Sequence, residues 1–171
     1  MRKEKIHIIR IMPLETKDTG YIVAWNNGKD VDFLMQWAGR GYRYPLTAEQ
    51  ITERLVSSGG KDYRIFGIWM NESIIGTIEL SKIDIIAKRA VIGHFLIDPA
   101  QTGKGHGTEA LQLLVNKVFA EMPLNTLELT VFEFNKPAIR CYEKAGFVKT
   151  HEAVRPNGWI AIIMEIRRKY W

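Results

Sequence analysis

The sequence predicts an α/β fold, a single domain with a mixed, mainly antiparallel sheet flanked by helices. Three observations carry that prediction. Strand-type runs follow one another so closely between about residues 63 and 97 that consecutive antiparallel strands are required to connect them. A long amphipathic helix then separates two further strands, and a helical crossover makes those two strands parallel. The 171 residues suit one domain, and a composition of 46% hydrophobic and 25% charged residues excludes a disordered or collagen-like chain.

Residues 5–12 (KIHIIRIM) are isoleucine-rich and read as the first strand, ended by Pro13. A helix is expected from about Thr16 to Trp25, broken by Asn26, Asn27 and Gly28, with another helical piece over 31–39. Gly39, Gly41 and Pro45 mark a loop carrying Tyr42 and Tyr44. Thr47 followed by Gln50 has the spacing of a capping box and opens a helix through about Val56, closed by Ser57 to Gly60.

Three strands follow, over 63–70 (YRIFGIWM), 74–83 (IIGTIELSKI) and about 88–97 (KRAVIGHFLI), with Asn71 and Glu72 at the first turn and Asp98–Pro99 ending the third. Leu111, Leu114, Val115, Val118 and Phe119 then repeat at helical spacing along one buried face, and Pro123 stops that helix. Residues 126–132 alternate as a strand, with Leu127, Leu129 and Val131 on one side. A helix over about 136–145 places Ala138, Tyr142 and Ala145 on one side, and Gly146 stands where a left-handed cap is needed. The last two strands span roughly 147–155 and 159–167, joined by Pro156, Asn157 and Gly158.

The formal charge of +5 is mildly basic, not the extreme of a nucleic-acid binder. It suits an anionic ligand such as a phosphorylated cofactor. The basic clusters Arg2, Lys3, Lys5 and Arg167, Arg168, Lys169 read as solvated ends. No run approaches about 18 uncharged apolar residues, so no membrane span is expected, and no segment has the pattern of a targeting sequence. Cys141 is a single thiol with no internal disulfide partner, which fits a reducing, cytoplasmic setting. No activating base is visible beside it, so it reads as a packing residue. The four histidines lack metal-ligand spacing, and no metal site is expected.

The segment QTGKGHGT, Gln101 to Thr108, lies between a strand end and a helix start. Its glycines at 103, 105 and 107 allow positive φ and close approach of a ligand. The free N–H groups and dipole of the helix start attract phosphate oxygens. The nucleoside-triphosphate loop is excluded, because Lys104 is followed by Gly105 rather than Ser or Thr. The dinucleotide fingerprint Gly-x-Gly-x-x-Gly misses by one position, which leaves a nicotinamide-dinucleotide enzyme as a minor alternative.

PAQTGKGHGTEAL and NKPAIRCYEKAGF, taken together and at their spacing, resemble the two signature segments of the GCN5-related N-acetyltransferases, the GNAT family. The resemblance implies the acyl-CoA N-acyltransferase fold, with a coenzyme-binding core over about 63–167 of a single domain spanning 1–171. It implies acetyl-CoA as co-substrate and transfer of the acetyl group to a primary amine by direct attack. Phe95, Leu96 and Ile97 would present backbone to the pantetheine arm. Thr102, Gly103, Lys104, Gly105, His106 and Gly107 would hold the pyrophosphate, with Thr108 nearby, and Asn135 and Ala138 would border the coenzyme. Tyr142 would stand near the thioester sulfur as general acid. The family's usual Gln or Arg three residues before Gly105 is Thr102 here, which weakens side-chain help to the phosphates. Relatives that modify aminoglycosides carry acidic residues at positions matching Gly93 and Thr130, which argues against an antibiotic acceptor.

An alkylammonium has a pKa near about 10.4 and must lose a proton before attack. Glu79, which shares a strand face with Thr77, and His94 on the next strand are candidates for that base; Glu133 is a weaker one. Trp25, Trp37, Tyr42 and Tyr44 precede the closely spaced strands and are candidates to wall the pocket of a small-molecule or peptide amine. Without an evident base, a non-catalytic acyl-CoA-binding sensor or interaction module is the alternative. A homodimer is the common default for such a chain.

Overall fold

The computed structural model describes residues 6–57 and 63–171. Strand β1 (Ile9–Pro13) leads through a 3-10 turn (Thr16–Asp18) into α1 (Thr19–Trp25), α2 (Val31–Ala38) and α3 (Ala48–Ser57). Then come β2 (Tyr63–Met70), β3 (Ser73–Asp84), β4 (Arg89–Ile97), α4 (His106–Glu121), β5 (Thr126–Phe132), α5 (Lys136–Lys144), β6 (Val148–Val154) and β7 (Ile160–Arg167). The order matches the expected one. The first strand is shorter than expected. Its predicted start at Lys5, and the loop residues 58–60, lie outside the described residues. Pro13 ends β1 from inside it, which an edge strand tolerates because proline's missing N–H need not break an inner ladder.

Two local expectations change. At α3, Thr47 Oγ1 accepts from Gln50 N at 3.4 Å, but the Gln50 side chain does not return to Thr47. It accepts from Arg43 N at 2.7 Å and donates to Arg43 O and Pro45 O at 3.1 and 3.0 Å, so the capping box opens into a brace for the preceding loop. At the other end, Arg168 is not a solvated charge. Its guanidinium donates to the carbonyls of Phe119, Met122 and Leu124, which a helix C-terminus otherwise leaves unpaired.

The seven strands form one sheet in the order β1-β2-β3-β4-β5-β7-β6. Every pair is antiparallel except β4 with β5, as the helical crossover through α4 requires. That parallel pairing runs only from Arg89↔Thr126 to Ile92↔Leu129. Beyond it the two strands part.

A bulge in β4 accompanies the parting. Glu79 faces Gly93 and Thr77 faces Leu96, so two residues of β4, His94 and Phe95, stand opposite one of β3. His94 takes φ 44°, a left-handed conformation that costs a non-glycine residue about 1 kcal/mol or more.

The core divides by sheet face. On one face Leu111, Leu114, Val115, Val118 and Phe119 of α4 pack with Ile78, Leu80, Ile92 and Leu129, all buried. Each such side chain contributes about 1.5–3 kcal/mol by leaving water. On the other face Ile22, Trp25, Leu34 and Ile51 of α1, α2 and α3 pack with Ile65, Ile74 and Leu96. The predicted cap on α5 is present: Gly146 has φ 98°, its N–H donates to Glu143 O, and Phe147 N–H donates to Tyr142 O.

Candidate active site

The parted ends of β4 and β5 open a cleft of about 530 Å³. Thr102, Gly103, Gly105, His106, Gly107 and Thr108 line one end, Phe95, Leu96 and Ile97 line its length, and Asn135, Ala138, Cys141 and Tyr142 face them from α5. The structure therefore brings together nearly every residue expected at a coenzyme.

Lys104 is the exception, since it does not line the cleft. Its ammonium donates to Ala100 O at 3.1 Å and Gln101 Oε1 at 3.0 Å, folding back on its own turn. Thr102 Oγ1 likewise donates to Pro99 O at 3.0 Å.

The loop works through backbone. Gly103 and Gly105 have φ 76° and 86°, and Gly105 is the N-cap of α4. The intrahelical ladder starts with Glu109 N donating to Gly105 O at 3.2 Å. The amides of His106, Gly107 and Thr108 thus have no carbonyl within the helix to satisfy them. They stand at the positive end of a 16-residue helix, an arrangement suited to an anion. Along β4, one edge of Leu96 and Ile97 is paired with Thr77 and Gly76 of β3, while the edge toward β5 is left without a ladder by the parting. An extended ligand can lie there as a strand would.

On α5, Asn135 is the N-cap and its side chain accepts from Ala138 N at 3.3 Å. Tyr142 stacks on Phe95 with ring centroids 6.1 Å apart, and burial pushes its phenol well above the ordinary value. Cys141 accepts from Thr108 Oγ1 at 3.4 Å, tying α4 to α5. Burial also raises its thiol pKa, so it carries little thiolate, in keeping with a packing residue.

Glu79 and His94 are brought together, but neither lines this cleft. Glu79 is 2% exposed, on the face covered by α1–α3. Arg54 of α3 grips both carboxylate oxygens, Nε to Oε2 at 2.8 Å and Nη2 to Oε1 at 2.6 Å. His94 Nδ1 lies 3.2 Å from Oε2. Burial works to raise the Glu79 pKa, yet Arg54 and His94 outweigh it, and the carboxyl sits below its usual value. A carboxylate so stabilised is a weak proton acceptor. The His94 ring is boxed by Trp37 and Tyr42, at centroid distances of 6.3 and 5.2 Å. Gly41 presses on it so closely that a Cβ there would meet His94 Cε1 at 2.2 Å.

The expected aromatic wall is divided. Trp37 lines the cleft and Tyr42 stands behind it at His94, whereas Trp25 is buried in the core and Tyr44 is exposed. Glu133 is exposed and outside the lining. Phe33 and Gln36 of α2, and Arg140 and Lys144 of α5, line the cleft without having been anticipated. The i, i+4 spacing of Arg140 and Lys144 within the second signature segment was a readable signal. The Arg54–Glu79 pair was not, because 25 residues separate a helix from a strand.

The acetyltransferase (GNAT) domain family matches residues 9–148. The chain is 42% identical over 160 residues to the Bacillus subtilis "Probable N-acetyltransferase YjcK", covering 88% of this chain and 87% of that one. It is 27% identical over 141 residues to the spermidine N(1)-acetyltransferase of Escherichia coli, covering 82% and 73%. Another Bacillus subtilis relative is matched over 60% of its own length. In three dimensions the chain is similar to spermidine N-acetyltransferase from Vibrio cholerae, solved in complex with CoA and spermine. The TM-score is 0.81 at 21% identity, over 94% of this chain and 96% of that one.

Proposed function

The chain belongs to the acetyltransferase (GNAT) family, whose co-substrate is acetyl-CoA, and from that premise we propose an N-acetyltransferase in which a primary amine attacks the thioester directly. The observation that carries this reading is the continuous surface from the amides of His106, Gly107 and Thr108, along the open edge of β4, to Tyr142. The pyrophosphate rests on the α4 amides and the pantetheine arm extends along Phe95, Leu96 and Ile97. Asn135 and Ala138 border the coenzyme, and the thioester reaches Tyr142.

The amine nitrogen bonds to the acetyl carbon as the carbon–sulfur bond breaks, the Tyr142 phenol gives its proton to the departing thiolate, and the proton that the acylated nitrogen sheds restores the phenol by way of water. Burial keeps the phenol protonated across the neutral range, as a proton donor must be, while making it a weaker acid than a free phenol. Glu79 and His94 sit outside the cleft lining. We assign them, with Arg54, the positioning of the acceptor wall at Trp37 and Tyr42 rather than proton abstraction. The family match leaves the nicotinamide-dinucleotide alternative without support.

Isothermal titration with acetyl-CoA and a thiol-release assay test the reading. Folded protein that does not bind acetyl-CoA sinks it. Tyr142→Phe is expected to keep coenzyme affinity and lose about 100-fold or more in kcat; unchanged kcat removes Tyr142 from the acid role. A second reading, an acyl-CoA-binding module without turnover, is favoured by one observation: no carboxylate lines the cleft among the described residues. Thiol release with any amine rejects it.

A further inference from the structure

We infer that Arg140 and Lys144 of α5 form a second anion site, which takes the phosphate monoester on the coenzyme's ribose and makes the donor site select CoA over its dephospho form. The inference rests on the acetyl-CoA reading above and deepens it.

The coenzyme's own chemistry is the first ground. CoA carries a pyrophosphate and, on the ribose, a separate phosphate monoester. The amides of His106, Gly107 and Thr108 at the α4 start suit the pyrophosphate. The loop's lysine gives no help, because Lys104 folds back on Ala100 and Gln101. A monoester bears a charge of about −1.5 to −2 at neutral pH and calls for cations of its own.

Placement is the second. Pro137, Arg140, Cys141 and Lys144 all line the cleft, and their i, i+3, i+4, i+7 spacing makes them one stripe of α5. The stripe stands at the phosphate end. Cys141 within it accepts from Thr108 Oγ1 at 3.4 Å, and a Cβ on Gly107 would lie 3.5 Å from its sulfur. Lys144 is close enough for its charge to act on that thiol. Tyr142, at the thioester end, projects about 100° around the helix from Cys141, onto Phe95.

Availability is the third. Both side chains are exposed, and among the described residues neither is engaged in an ion pair. The guanidinium fork can grip two phosphate oxygens, and the ammonium one turn along adds a mobile point charge.

The test is calorimetry of CoA and dephospho-CoA against the parent and the Arg140→Gln/Lys144→Gln double variant, at low and high salt. Dephospho-CoA keeps the pyrophosphate and lacks the monoester, so it isolates the second site. The parent is expected to bind CoA about 5–10-fold more tightly than dephospho-CoA at low salt, with the ratio shrinking as salt rises. In the double variant the ratio is expected to fall to about 1 with dephospho-CoA affinity unchanged. Equal affinities in the parent overturn the inference, and that comparison holds whatever the stability of the variant. A ratio that survives in the folded variant, or that ignores salt, overturns it as well. So does a variant that loses affinity for both ligands alike, since the two cations then serve the pyrophosphate. A folded parent that binds neither ligand removes the acetyl-CoA reading instead, which keeps the two failures distinct.

Discussion

The Gly103–Gly107 end of the cleft presents backbone amides, whereas the wall at α2 and the Arg54–Glu79–His94 group behind it are made of side chains. The backbone end depends on φ at two glycines and on the direction of one helix, and side chains such as Lys104 and Thr102 turn away from it. The side-chain end depends on several interlocked contacts, each with one arrangement. A surface of the first kind can hold the same coenzyme phosphates with varied side chains. A surface of the second kind changes what it can hold when single residues change.

The largest expected effect falls on the side-chain end. Glu79→Gln removes the negative partner of Arg54 inside the fold and is expected to cost about 2–3 kcal/mol in urea unfolding at pH 7. The Glu79 pKa lies below its ordinary 4.5 in the folded chain. Its contribution is therefore complete above about pH 4.5 and is lost as pH falls through the folded value. The stability gap between parent and variant should narrow below pH 4.5; a gap independent of pH would show that packing, not charge, is at stake.

Gly41→Ala comes next. The new Cβ meets the His94 ring, which Trp37 and Tyr42 keep from moving freely, at a cost of about 1–3 kcal/mol. Acceptor KM should rise while acetyl-CoA affinity is unchanged. A loss of coenzyme affinity instead would break the division between the two ends.

Gly105→Ala has the smallest effect on stability. Nothing lies within 4 Å of the added Cβ, so the cost is only the positive φ, about 1 kcal/mol. Acetyl-CoA affinity by calorimetry should fall several-fold with the acceptor preference unaltered. If His106→Ala weakens the coenzyme more than Gly105→Ala does, the loop acts through side chains after all.

The glycine-loop end was readable because it is local. Gly105, the α4 start, Asn135 and Gly146 act on neighbours within a few residues, where spacing and φ preference decide the outcome. The α4 face followed from period alone. The α2 end was not readable in the same way. Trp25 and Trp37 look alike in sequence, yet one is buried in the core and the other lines the cleft.

What the amino-acid sequence alone determined is the order of elements, the parallel crossover and the glycine turn that opens α4. All of these rest on local conformational preference and hydrophobic period. Tertiary structure decided the fate of Glu79 and His94. Strict alternation puts Gly93, not His94, on the face of Glu79. The extra residue of the β4 bulge turns His94 onto that face as well, where Arg54, arriving from α3, has already taken the carboxylate. A bulge and a helix–strand ion pair are settled by which surfaces pack across the sheet, and that information is spread over the whole chain rather than written beside either residue.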